Sequence, residues 1–188
     1  MDYNEYIKRA YDTACKHGFH NQELPDEHWL MLVITEVAEM VEADRKPKRA
    51  FLEIFKHNIT TPQPAGRRQA HWCFCFETFI KDSFEDEMAD ACIRLLDLAG
   101  LRGIEVDSFR NFPEDILQKY RETSVTEKAF NLCRLISNIF FVPLKICIEE
   151  ALYFIECWAK SECIDLEWYI AQKMEYNEQR TRLHGKKY

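Results

Sequence analysis

Apolar residues recur along this chain at helical spacing almost throughout, and that period predicts an all-α protein. A first amphipathic helix is expected over 3–17, closed by Gly18. Pro25 and Asp26 then open a second, running to about residue 45, with Trp29, Leu30, Val33, Val37, Met40 and Val41 on its apolar face. A short helix is expected within 47–59. The stretch 60–69, TTPQPAGRRQ, reads as a loop, and the aromatic segment HWCFCFETFI follows it. Asp82 or Ser83 caps the next helix, which ends near Gly100 to Gly103. Residues 104–123 read as irregular, with one helical turn before Pro113 and another after it. Helices over about 126–140, 143–160 and 164–182 complete the chain, with HGKKY as its tail. The expected fold is thus a helical bundle of about five to seven helices forming one domain over 1–188. The last helices, about 126–188, can pack as a subdomain, although no linker sets them apart.

Two acidic pairs interrupt these apolar faces. Glu36 and Glu39 lie in LMLVITEVAEMVEADR, and Glu87 and Asp90 lie in EDEMADACIRLLDLAG. Residues three apart on a helix stand about 60° apart around the axis and roughly 4.5 Å along it, so each pair can converge on one ion. In an antiparallel hairpin of the two helices, Glu39 and Glu87 stand roughly 9 and 7 Å above the hairpin end. A carboxylate facing a core is costly unless it is paired or holds a metal. An all-oxygen set without histidine suits Mg²⁺, with Mn²⁺ as a substitute, rather than zinc. Solvated helix faces carry such spacings too: Glu42, Asp44, Glu85 and Asp86 read as surface residues, and Asp97 as a partner of Arg94 or Arg102.

Composition narrows the chemistry. The net charge of −7 gives no footprint for a nucleic acid polymer. It leaves room for a nucleotide, because a divalent ion bridges carboxylates to phosphates. The opening MDYNEYIKRAYDTACKHGF is amphipathic and contains acids, unlike a signal peptide, and the apolar run 139–144 is too short to span a bilayer. Eight cysteines without such a signal fit a reducing, cytoplasmic setting. Cys92, Cys133, Cys147 and Cys157 read as core residues, and Cys73-x-Cys75 lacks a second pair at zinc spacing. No phosphate-binding glycine loop is present.

The blocks ITEVAEMVEADR, FIKDSFEDEMADACIRLLDLAG and KMEYNEQRTRLHGKKY, in that order, resemble the all-α nucleoside triphosphate pyrophosphohydrolases, the MazG-like superfamily that includes dimeric dUTPases. The resemblance implies metal ligands at Glu36, Glu39, Glu87 and Asp90, with Glu36 or Glu39 as general base. It implies Mg²⁺-dependent hydrolysis of a nucleoside triphosphate substrate to the monophosphate and pyrophosphate, in a homodimer or homotetramer. Two departures stand out. Residues 40–86 separate the pairs by more than a short hairpin, and Thr35 stands where many members carry a further glutamate. The insertion bears on nucleobase preference.

A triphosphate beside four carboxylates needs cations, and the tail carries Lys173, Arg180, Arg182, Lys186 and Lys187. Lys173, Asn177 and Arg180 share one helix face. The resemblance gives Lys173 and Arg180 to phosphates and Asn177 and Tyr176 to the nucleoside; a basic helix end complementing the dipole is the plainer reading. Lys81 is a further phosphate candidate. Trp29, Trp72, Phe76 and Phe79 are candidates for base stacking, and His28 and His71 for hydrogen bonds to a base. Two other functions fit these features: a non-catalytic nucleotide-binding or sensing module, and a structural helical oligomer whose acidic pairs are neutralised by basic residues.

Overall fold

The computed structural model describes residues 1–64 and 66–185; Ala65 of the 60–69 loop and Lys186 and Lys187 of the basic tail lie outside the described residues. The described residues are all-α, with nine α-helices rather than five to seven. α1 (Tyr3–His17) starts where the Asp2 carboxylate accepts the Asn4 and Glu5 N–H groups, and it stops at Gly18, whose φ of 83° is left-handed. α2 spans Asp26–Arg45. Two helices occupy the insertion, α3 (Leu52–Ile59) and α4 (Arg68–Phe79). Ser83 caps α5 (Phe84–Leu101) by accepting the Asp86 N–H. α6 (Glu114–Glu122) precedes α7 (Val125–Ile136), which opens on a Ser124–Glu127 capping box and runs on into a 3₁₀ turn, Ser137–Phe140. α8 (Leu144–Ser161) and α9 (Leu166–Glu178) follow, then a 3₁₀ turn over Arg182–Gly185.

The extra elements have physical causes. The aromatic segment is helical because Cys75 and Phe76 turn inward, with Phe76 against Phe55 and Tyr176, leaving Phe74 outside. Before Pro113 the expected turn is absent: the backbone there has no regular structure, and the Asn4 side chain bonds both the N–H and the C=O of Val106. After Pro113, a helix start set by proline gives α6.

α5 is the hub. Phe84, Met88, Ala89, Ala91, Cys92, Leu95, Leu96, Leu98 and Ala99 are all buried, so the helix is enclosed nearly all round. α2 runs antiparallel to it: Arg102 bonds Asp26 at 2.6 Å and Arg94 bonds Glu36 at 2.9 Å. α1 crosses α5 at Gly100, where an added Cβ would stand 2.6 Å from the Cβ of Tyr11. The hairpin survives the insertion because the chain re-enters where it left. Phe51 donates its N–H to Phe79 and Phe84 donates its N–H to Lys48, so α3 and α4 form a closed excursion. Leu132, Ile136, Ile148, Leu152, Ile155 and Trp158 of the later helices join the same buried cluster as α2 and α5. Among the described residues, no helix is long and apolar enough to cross a membrane.

Candidate metal centre

Glu36, Glu39, Glu87 and Asp90 line one cavity of about 350 Å³ between α1, α2, α5 and α9. Carboxylate oxygens of Glu36, Glu39 and Glu87 lie within 4.8 Å of one another. Glu36 and Glu87 are buried, whereas Glu39 is exposed at the edge. Burial raises the Glu36 pKa, and the Asp90 charge adds to it, while Arg94 opposes both. Glu87 is pushed up to about 9, first by burial and then by the charges of Asp90 and Asp86. Among the described residues no hydrogen bond or ion pair reaches the Glu87 carboxylate. A cluster of this kind resists ionisation until a cation enters, and a divalent ion is the strongest relief available.

Asp90 is engaged differently. Its Oδ2 accepts from Lys173 Nζ at 2.8 Å, and the same ammonium donates to Asp86 Oδ2 at 2.6 Å. Lys173 is only 3% exposed. Burial alone would lower its pKa, but Asp90 and Asp86 outweigh that and raise it, so the ammonium persists. Asp86 is fully inside, where α5 packs on α9, and Glu85 is inside as well, accepting the Ala50 N–H at 2.9 Å. Neither is the surface residue expected, because α5 has no solvent face at its first turn. Asp97 also departs from expectation. It bonds His20 at 2.7 Å, since Arg94 is committed to Glu36 and Arg102 to Asp26.

The substrate candidates divide. Asn177, Arg180 and Lys81 line the cavity with Lys173. The Asn177 side chain is nine-tenths buried, and its Oδ1 has no hydrogen-bond partner. Tyr176 turns away to α4, stacking on Phe76 at 4.7 Å and donating its hydroxyl to Glu77. Trp29 does not reach the cavity. It sits two turns, about 10 Å, from Glu36 along α2 and packs on His20, behind the cavity wall. Trp72 and Phe76 stack on each other away from the cavity, and neither they nor Phe79 line it; the His71 ring nitrogen bonds the Asn58 carbonyl, and His28 packs edge-on against Trp29.

Arg94, His17 and Thr13 are among the lining residues that were not anticipated as site residues. Arg94 follows Asp90 by four and Glu87 by seven, so the shared helix face was a usable signal. His17 and Thr13 lie on α1, and nothing local links that helix to the acidic pairs.

The donor set is all oxygen, three convergent carboxylates with a buried amide oxygen left open, and it fits Mg²⁺ or Mn²⁺. The chain matches no family model, no curated protein and no solved structure.

Proposed function

We propose that this protein is a Mg²⁺-dependent nucleoside triphosphate pyrophosphohydrolase. The observation that carries the reading is the convergence of Glu36, Glu39 and Glu87 in one cavity whose wall also holds Lys81 and Arg180. Carboxylates and cationic side chains together are what a metal-bound triphosphate requires; either set alone is not. The ion, when bound, supplies charge neutralisation at the phosphate oxygens.

The residues then take distinct parts. Arg94 fixes Glu36 and opposes the burial that would protonate it. Glu39, exposed at the edge of the cavity, is the carboxylate placed to accept a proton from the attacking water. Arg180 and Lys81 face the phosphates. Water adds across the anhydride, its proton passes to Glu39, and pyrophosphate leaves from the nucleoside monophosphate. On the resemblance alone, we propose a cytoplasmic homodimer or homotetramer, which light scattering of the purified chain tests.

The deciding experiment is pyrophosphate release from a panel of canonical and modified nucleoside triphosphates with Mg²⁺. Release from at least one, lost in Glu36→Gln and Glu87→Gln, is expected; release from none overturns the proposal. A non-catalytic nucleotide-binding module is the second reading. In its favour, Glu36 and Asp90 are already engaged by Arg94 and Lys173. Calorimetry that finds tight nucleotide binding without turnover would select it.

A further inference from the structure

Two acidic groups meet at the start of α5 and differ in how their charge is met; Asp86 is their one member that does not line the cavity. Glu36, Glu39 and Glu87 form one; Asp82, Asp86 and Asp90 form the other, on the following side of α5. Carboxylate oxygens of Asp82, Asp86 and Glu87 also lie within 4.8 Å of one another, so by distance alone a second ion has a place. That place is already taken by side chains. Lys173 bridges Asp86 and Asp90, and Asp82 pairs with Lys81 at 2.5 Å and Lys48 at 3.5 Å. Three carboxylates meet three ammonium groups, so the formal charge closes, with Asp86 Oδ1 the one buried oxygen of the group lacking a hydrogen bond among the described residues. With all three carboxylates of the first group ionised, as ion binding requires, the Arg94 guanidinium is the one cation that pairs with them among the described residues. Two negative charges remain, the charge of one divalent ion. The unpartnered Asn177 Oδ1, itself nine-tenths buried, lines the same cavity and points independently to a missing polar partner.

We propose that the cavity holds a single divalent cation, on Glu36, Glu39 and Glu87, and that the buried Lys173 ammonium occupies the second cation position, across Asp86 and Asp90. This rests on the pyrophosphohydrolase reading and assigns the charge arrangement within it. Lys173 is then a positioning residue: it supplies a fixed charge beside the ion instead of contacting phosphate, and Asp90 is its partner instead of a metal ligand. A second ion would have to displace the buried Lys173 ammonium, leaving it without a counter-charge.

The test is Mn²⁺ titration of the full chain, read by the electron paramagnetic resonance signal of free Mn²⁺. The wild-type chain saturates at one ion. Lys173→Met uncovers Asp86 and Asp90 and saturates at two. Asp90→Asn still saturates at one ion, with an affinity lowered by no more than the ~10–100-fold that a change outside the ligand set costs. Two ions on the wild-type chain overturn the inference and leave the pyrophosphohydrolase reading standing. No ion on the wild-type chain overturns both. If Lys173→Met does not fold, the wild-type count and Asp90→Asn still decide, since a loss well beyond about 100-fold in Asp90→Asn makes Asp90 a ligand and removes Lys173 from the second position.

Discussion

Two regions of this molecule bury charge, and they do so in opposite ways. Where α7 meets α8, Lys128 is 4% exposed and donates to Glu162 at 2.8 Å, while Trp158 donates its ring N–H to the same oxygen and Arg49 approaches the other at 3.4 Å. Burial pushes the Glu162 carboxyl up, but these partners outweigh it and hold the pKa low. In the α2–α5 cavity Glu87 is more deeply buried than the half-buried Glu162, has no such partners among the described residues, and is driven up to about 9. The first arrangement is complete within the chain. The second is complete only with something added. Burial of an acid therefore does not mark a functional site by itself; an unanswered charge facing a cavity does.

The comparison breaks most sharply at Glu87. Glu87→Gln should lower pyrophosphate release by about 10²–10³-fold, the range seen when a group stabilising transition-state charge is lost, with the fold retained by circular dichroism. An unaffected rate would move the site elsewhere. Lys128→Met should do the reverse. It leaves turnover within about threefold and lowers unfolding stability by about 2–3 kcal/mol in urea titrations. That is less than the ~3–5 kcal/mol for a fully buried pair, because Glu162 keeps Trp158 and Arg49.

Arg94→Gln should have an intermediate effect, since it removes the guanidinium that opposes protonation of Glu36 but no cavity carboxylate. A fall of about tenfold in turnover, recovered in part at higher pH as Glu36 ionises, is the expected outcome; a pH-independent loss would make Arg94 a substrate contact.

The smallest effect separates the two regions by pH. The folded-state pKa of Glu87 is raised from 4.5 to about 9, so its contribution to stability is full below about 4.5 and is lost as pH climbs toward 9. That of Glu162 is lowered, so its contribution is present above the unfolded pKa and is lost as pH falls through the folded one. Chelator-treated protein should therefore melt at falling temperature from about pH 5 to pH 9, by a few degrees. Mg²⁺ should restore the loss on the alkaline limb and leave the acid limb unchanged. A pH profile that metal does not alter would detach Glu87 from ion binding.

Much of this could be read along the chain. The limits of α1 and α2 follow from Gly18 and from the Pro25–Asp26 start, because capping chemistry is local. The acidic pairs were visible as carboxylates interrupting apolar faces, and similar heights on an antiparallel hairpin placed Glu39 opposite Glu87. Asp86 was not legible. In sequence it resembles any first-turn acid, and only the packing of α9 on α5 makes it the buried partner of Lys173. Trp29 shows the converse: its apolar face could be read, but its distance along the helix sets it against His20 and away from the cavity. Phe76 and Tyr176, a hundred residues apart, stack because the insertion folds back on itself, which no local pattern records.

By itself, then, the sequence determined that the chain is helical and that Glu36, Glu39, Glu87 and Asp90 interrupt apolar faces, because periodicity and capping act over a turn or two. The tertiary structure decided which carboxylates are answered and which are not. Lys173 reaches Asp86 and Asp90 across the bundle, Arg94 reaches Glu36 across the hairpin, and Glu87 is left without a partner among the described residues. Charge compensation is set by distances of a few ångströms between remote residues, and only the packed fold sets those distances.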